Sequence, residues 1–412
     1  MVKVRPASNS VEARNGGVQA FAGRALPKRI YNHQLIRAVV FHEGPLSRLD
    51  LGQRTGLPLS VLTGLCADLI ENGYLEEHSA APGQRARRGR PRTFLRLAGG
   101  KLGAVCLRHG LEEIHAAVVD LDGALRWERR HACSPKLDAR GRADLLVKAA
   151  REALRSSPLS RERLLGVGLA DPGLVDRATG RVLRAANIPQ WTNVALGDLL
   201  REATDLPVLL ERGDSLQALG EAAFGAGRGV KSLLFISLID HGVGGGIVAG
   251  GRLATGRFGG CGEIGHVNVV HRGEPCGCGL RGCLEACLMP ERLLDGSSFR
   301  DFPSLLKAGQ AGDRSARGIL AGAAELTARA LGNAVNLLNP ERIVLGGYLA
   351  EAGDLFRAPL QEHLPRYTMR EMLDGLDIRP AERDDLNAFL GVVCSFREAL
   401  CAFPAVYAGK ER

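Results

Sequence analysis

Four side chains that bind metal ions fall within eighteen residues: His266, Cys276, Cys278 and Cys283. One imidazole and three thiols make a closed tetrahedral set for zinc, and the glycines among them, Gly273, Gly277, Gly279 and Gly282, let a short loop wrap a small ion. With every position filled by protein, the zinc is expected to be structural. The chain has ten cysteines and opens without the apolar stretch of a secretory signal. Thiols or metal ligands are therefore expected rather than a disulfide framework, together with a cytoplasmic location. Cys261 is a spare thiol just upstream, and the remaining cysteines stand in apolar or helical contexts that read as core.

The segments that must position this loop alternate between strand-like and helix-like patterns over 99–412. Examples are the apolar run 164–170, the strand 233–238 and the long helix 321–338 before Ile343, Val344 and Leu345. This is α/β, and long enough for two lobes. No apolar run reaches the ~18–20 residues of a membrane span, so no membrane partner is expected. The formal charge of +9 is unevenly spread. Residues 1–100 hold 15 of the 54 Lys and Arg against 7 of the 45 Asp and Glu, a net of +8, leaving 39 − 38 = +1 for the rest. A basic first quarter before a nearly neutral remainder points to nucleic acid as the N-terminal partner.

That first quarter has its own organisation. Residues 1–26 read as a flexible basic arm. Over 27–78 three helices follow: one with Ile36, Val39, Val40 and Phe41, broken at Gly44 and Pro45; one capped by Ser47 with Leu49 and Leu51; and one over 58–72 with Val61, Leu62, Leu65, Leu69 and Ile70. Two helices joined by a short glycine turn have helix-turn-helix spacing. Residues 79–98 read as an Arg-rich linker, and Arg88, Gly89, Arg90, Pro91 and Arg92 resemble the slim arginine hooks that lie in an AT-rich minor groove.

The run Gly262, Glu263, Ile264, Gly265, His266 through Gly273, Cys276, Cys278, Gly279, Gly282, Cys283 and Glu285 resembles the signature of the ROK family of repressors, open reading frames and sugar kinases. Agreement extends to 171–176, to Asn187, Ile188, Pro189, Gln190 and Trp191, to the glycine hairpin 242–246, and to 339–347. The N-terminal helices followed by Gly89, Arg90 and Pro91 are similar to the repressor branch. The resemblance implies an actin-like, two-lobed sugar-kinase fold, ribonuclease H-like in motif, behind a winged helix-turn-helix, assembled as a homodimer or homotetramer. On it, 99–215 with 386–412 is the first lobe and 216–385 the second, carrying the zinc loop.

Departures from the family decide the expected activity. The phosphate turn of the kinases aligns with Arg108, His109, Gly110, Leu111 and Glu112, where an acid has become Arg and where Glu112 would repel phosphate. The catalytic base aligns with Gly213 and its Asn neighbour with Arg212. Glycine cannot take a hydroxyl proton, so phosphoryl transfer and ATP are not expected. Asp214, one place downstream, is the only nearby substitute. By resemblance Glu263, His266 and Glu285 contact sugar hydroxyls, with Asn187, Arg212 and Asp214 completing a ligand site. His266 would place one ring nitrogen on zinc and the other towards ligand.

By alignment the third helix is the recognition helix, and it contains no Lys or Arg. Ser60 and Thr63 are expected at base edges or phosphates, Arg37 and Arg48 on the DNA backbone, and Arg88, Arg90 and Arg92 in the minor groove, with most affinity electrostatic. The reading is a cytoplasmic, sugar-responsive transcriptional repressor on a kinase fold without phosphoryl transfer. The alternatives are an active sugar kinase with a DNA-binding appendage, and a regulator answering to a protein partner or a phosphorylated metabolite.

Overall fold

The structure is a computed structural model that describes residues 27–79, 93–185, 188, 190–382 and 386–402. The basic arm, the arginine hook Arg88 to Arg92, Asn187 and the C-terminal 403–412 lie outside the described residues.

The N-terminal unit is built from α1 (Lys28–Glu43), β1 (Leu46–Ser47), α2 (Arg48–Thr55), α3 (Leu59–Glu71), β2 (Leu75–Ser79) and β3 (Thr93–Leu97). α1 stops at Gly44, which takes φ +83. At the start of α2 the Ser47 hydroxyl accepts from the Asp50 backbone N–H while the Asp50 carboxylate accepts from the Ser47 backbone N–H, which satisfies two helix-end donors reciprocally. Replacing Ser47 with Ala is expected to cost about 1 kcal/mol. Thermal melting of the full chain checks it; no loss would mean the cap is idle.

One face of each helix meets the small sheet. Ile36, Val40, Leu51, Leu62, Leu65, Cys66 and Leu69 pack with Leu75 and Leu95. Leu49 and Val61 do not join this core; they remain 53% and 42% exposed. The bounds expected for the linker are corrected at its ends: β2 and β3 pair antiparallel, Leu75 opposite Leu97 and Glu77 opposite Leu95, so Ser79 and 93–97 belong to strands and the N-terminal unit extends to Leu97, while 80–92 lie outside the described residues.

The remainder is two α/β lobes. In chain order come β4 (Gly103–His109), β5 (Glu113–Asp120), β6 (Leu125–Ala132), α4 (Ala139–Ser156), β7 (Leu164–Asp171), β8 (Leu174–Asp176), β9 (Arg181–Arg184), β10 (Thr192–Val194), α5 (Leu196–Thr204), β11 (Val208–Arg212) and α6 (Gly213–Phe224). There follow β12 (Leu233–Ile239), β13 (Gly242–Ala249), β14 (Arg252–Leu253), α7 (Leu284–Leu288), α8 (Pro290–Leu293), α9 (Phe302–Gln310), α10 (Arg314–Leu338), β15 (Arg342–Gly347), α11 (Tyr348–Glu351), α12 (Asp354–His363), β16 (Asp377–Pro380) and α13 (Asn387–Cys401). The first lobe's sheet runs β11-β7-β4-β5-β6 and the second's β14-β13-β12-β15-β16, each of five strands with parallel and antiparallel pairs.

α6 and α13 pack closely between them. A Cβ on Gly220 would stand 2.1 Å from the Asn387 carbonyl, and one on Gly391 2.0 Å from that of Leu216, so both positions need glycine for the helices to approach. The contact is locked by Asn387, whose amide donates to buried Glu221 at 2.6 Å. The N-terminal unit docks on this same α13. Arg397 lies over the Phe41 ring at 4.8 Å, and Arg163, from the first lobe, donates to the Asn72 carbonyl. No helix among the described residues is long and apolar enough to cross a membrane.

Candidate ligand and metal site

The metal cluster is held by the loop between β14 and α7. His266 closes a short 3-10 turn over Ile264–His266, and Asn268 bridges back to Cys283, so the ends of the loop meet. Cys276 accepts from the Gly279 N–H and donates to the Leu280 carbonyl, forming a tight knuckle. Gly282, at φ +69, lies where any Cβ would fall 1.9 Å from the Val270 carbonyl. Only glycine lets the chain turn there and bring Cys283 in. The four donor atoms of His266, Cys276, Cys278 and Cys283 lie within 4.8 Å of one another. Cys276 Sγ is 3.6 Å from His266 Nδ1, and Cys278 Sγ is 3.7 Å from Cys283 Sγ. A tetrahedral ion with arms of about 2.0–2.3 Å gives edges of roughly 3.4–3.8 Å. The expected ligand set is therefore brought together at spacings that fit a metal ion. Burial and the neighbouring thiols push Cys283 up to about 12 and Cys276 upward, and a cation is what would favour the thiolates.

Beside the cluster stand the three groups expected around a ligand. Glu285 Oε1 is 3.6 Å from Cys276 Sγ, and its Oε2 accepts from the Val243 N–H at 3.1 Å. His266 turns Nδ1 to the thiols and Nε2 towards Glu263, 3.7 Å from Oε2. The division of the imidazole between metal and ligand side thus has a geometric basis. Asp214 lies deeper, in the first turn of α6, accepting from Ser237 Oγ at 3.0 Å, and burial raises its pKa.

Arg212 departs from the role given to it. It is 4% exposed, and it is already engaged on every side. Nε is 2.9 Å from Glu263 Oε1, Nη1 donates to the Cys261 carbonyl at 2.8 Å and to Ser215 Oγ at 3.4 Å, and Nη2 donates to the Gly245 carbonyl at 3.4 Å. A guanidinium with its fork spent on the protein is not a waiting anion receptor. Neighbouring Glu211, 1% exposed and raised by burial, faces Arg177 at 3.1 Å. The carboxylates of Glu211, Asp214, Glu263 and Glu285 outnumber the two arginines, which further disfavours a phosphate.

The phosphate turn is a closed hairpin between β4 and β5. The Gly110 N–H donates to the Glu113 carbonyl, and fully buried Arg142 donates to the carbonyls of Gly110, Leu111, Ser134 and Leu137. His109 points inward, 3.5 Å from Asp171 Oδ2, which also accepts from Trp191 Nε1 at 2.9 Å. Arg108 is 4.0 Å from Glu113 across the hairpin. Gly213 opens α6, directly after Arg212, whose strand pairs with Asp171. Sequence reasoning named the ends of this network but missed Arg142, a charged residue in the first turn of α4 whose burial follows from contacts with the distant β4–β5 hairpin.

On the N-terminal unit, Ser60 and Thr63 are exposed on α3, and Arg48 pairs with Glu77 of β2 at 2.8 Å. Arg37 is not on that surface. Its guanidinium lies over Tyr74 at 5.1 Å, and burial and nearby Cys401 of α13 are the main influences on it besides that ring. It is a docking residue between the N-terminal unit and the first lobe, because α13 returns from the far end of the chain to cover it.

A family model described as "ROK family" matches residues 104–398. The chain is 36% identical to a glucokinase of Halalkalibacterium halodurans, over 54% of this chain and 73% of that enzyme. It is 26% identical to the xylose repressor of Caldicellulosiruptor bescii, over 90% of this chain and 97% of the repressor. A crystal structure of a ROK family transcriptional regulator, described as a homolog of the Escherichia coli MLC protein, superposes with a TM-score of 0.77 over 91% of this chain and 97% of that one, at 24% identity. That likeness is one of fold.

Proposed function

The chain belongs to the ROK family, and from that premise we propose that it is a cytoplasmic DNA-binding transcriptional repressor controlled by a sugar or sugar derivative, working as a homodimer or homotetramer. The observation that carries this reading is coverage. The glucokinase match spans about half of this chain, whereas the xylose repressor match spans 90% of it, a share that must take in part of the N-terminal unit. Zinc is the proposed occupant of the His266, Cys276, Cys278 and Cys283 cluster, since three thiolates and one imidazole at tetrahedral spacing suit it better than oxygen-seeking ions. Bound there, it would fix the loop that orients His266 and borders Glu285.

Phosphoryl transfer is not proposed. Gly213 offers no base, and the hairpin of Arg108 to Glu112 is pinned shut by Arg142 where a phosphate cradle would need open backbone donors.

The proposed control runs through packed helices. Arg212 and Asp214 stand at the junction of β11 and α6, α6 interlocks with α13, and α13 carries the surface on which α1 and Tyr74 dock. Ligand in the cleft that shifts α6 would thereby reorient paired N-terminal units relative to their half-sites. The test is operator affinity. Duplexes enriched from a random pool are titrated with the protein across a sugar panel, with ATP-dependent sugar phosphorylation measured alongside. At least about a tenfold change in affinity with one sugar, and no phosphorylation, are expected. Absence of any enriched duplex, or turnover at kinase rates, would overturn the reading.

Most of the affinity is expected to be electrostatic. Neutralising Arg88, Arg90 and Arg92 together should flatten the dependence of log affinity on log salt by about 2–3 units, more than altering Ser60 and Thr63 does. Filter binding at several salt concentrations measures it, and an unchanged slope would remove these three arginines from the interface.

A further inference from the structure

We propose that the exposed face of α3 selects its DNA site by apolar contact with thymine C5-methyl groups rather than by hydrogen bonds to base edges. The inference rests on the reading of the chain as a DNA-binding regulator and adds the class of base feature that it recognises.

α3 has two faces. Leu62, Leu65, Cys66 and Leu69 are buried in the N-terminal core. The outward side presents Leu59, 53% exposed, Val61, 42% exposed, and the exposed residues Ser60, Thr63 and Ala67. No charged or amide side chain occurs from Leu59 to Ala67. The bidentate partners that read guanine or adenine, Arg, Lys, Asn and Gln, are therefore missing from the face that a recognition helix turns to the groove. Thr63 contributes less polarity than its type suggests, because its hydroxyl donates to the Leu59 carbonyl at 2.8 Å. Asp68, the first charge, is held by Arg29.

Leu59 and Val61, about half exposed on the first turn of α3, flank the face that carries Ser60 and Thr63, and the N-terminal turn is the part of a recognition helix that meets base edges. Three features commit the occupant of this face to DNA. α3 is the third helix of the N-terminal unit, its surroundings belong to the +8 quarter of the chain, and the arginine-rich stretch of sequence begins at Arg85, just after β2. In the major groove, the thymine methyl is the one apolar group that a base pair displays. Among base edges Val61 and Leu59 lose water most favourably against that methyl, so the helix favours sequences that place thymines beneath it. Specificity and affinity are then divided, with methyl contacts on α3 and salt-dependent phosphate contacts from the basic segments.

The test uses the full-length protein and a duplex enriched from a random pool. Each thymine is replaced singly by deoxyuridine, which deletes the methyl and leaves the minor groove unchanged. One or two positions in each half-site are expected to weaken binding about fourfold per methyl, from burial of one methyl-sized apolar group. That penalty should disappear in V61A or L59A. Both side chains are surface groups, so the variants should melt with the parent and keep its salt slope.

If every thymine tolerates the replacement in a tightly bound duplex, or if the penalty persists in both variants, the inference fails while the regulator reading stands. Should V61A and L59A instead dissociate an oligomer and leave the uracil penalty intact, the face belongs to a second copy, which also overturns it. Failure to enrich any duplex would remove the regulator reading and this inference together.

Discussion

If zinc occupies the cluster as proposed, replacing Cys283 with serine should leave almost none bound and unravel the segment from Ile264 to Leu288. Cys283 is the ligand with the most structure depending on it. Its side chain is fully buried, it closes the loop by bridging to Asn268, and it immediately precedes α7, whose Leu284 and Leu288 are core residues of the second lobe. A structural zinc site of this type contributes on the order of 10 kcal/mol of binding free energy, coupled directly to folding of the segment that holds it. Losing one of four ligands should thus remove most of the local stability, and the second lobe should melt at least 10 °C lower. Elemental analysis for zinc and hydrogen exchange across 264–288 measure the two effects separately. Cys261→Ser is the control: Cys261 lies outside the cluster, so metal content should be unchanged. Full zinc occupancy in Cys283→Ser would overturn the ligand assignment.

The metal cluster was legible in the sequence because its ligands are near neighbours, and a loop of eighteen residues can bring four groups together with little help from the rest of the fold. Ser47 was legible for the same reason, since a capping pair three residues apart is a local fact. What escaped was non-local. The pairing of β2 with β3 crosses the arginine-rich residues, whose composition reads as linker, although Phe94, Leu95 and Leu97 already carry a strand-like pattern. Arg37 looked like a surface cation in a basic region. Only the return of α13, some 350 residues later, turns it into a docking residue against Tyr74. Arg142 was likewise indistinguishable from a solvent-facing helix charge until the carbonyls of the β4–β5 hairpin gathered around it. The family resemblance supplied the two-lobed fold, because its motifs at 171–176, 242–246 and 339–347 fall on strands or strand ends of both sheets. It carried over the position of Arg212 but not its partners.

Those partners set the second large effect. Replacing Arg212 with Asn is expected to raise affinity for neutral hexoses at least about tenfold. In the parent protein, Glu263 Oε1 is paired with Arg212 at 2.9 Å, so a sugar hydroxyl that needs this oxygen competes with a guanidinium. That guanidinium also holds the carbonyls of Cys261 and Gly245. Leaving one such donor or acceptor unpaired costs about 1–3 kcal/mol, which sets the penalty that a neutral ligand meets. Asn removes the competitor and supplies an amide that can accept as well as donate. The substitution should cost about 3–5 kcal/mol of stability, because the Cys261 and Gly245 carbonyls lose their donor and buried Asp214 loses a neighbouring cation, while Glu263, 37% exposed, is partly solvated once released.

Thermal shift against a panel of neutral sugars reads the result, since a ligand at 100 times its Kd stabilises by about 2.7 kcal/mol. Sugar phosphates and sugar acids should protect neither protein, as four carboxylates surround the site. Protection of the parent by an anionic sugar, lost in Arg212→Asn, would make the guanidinium a receptor after all. Equal affinity of both proteins for a neutral sugar would show that Arg212 does not obstruct the pocket. A gain confined to the Asn variant would mean that this chain keeps the family's sugar-facing carboxylates while holding one of them shut from within.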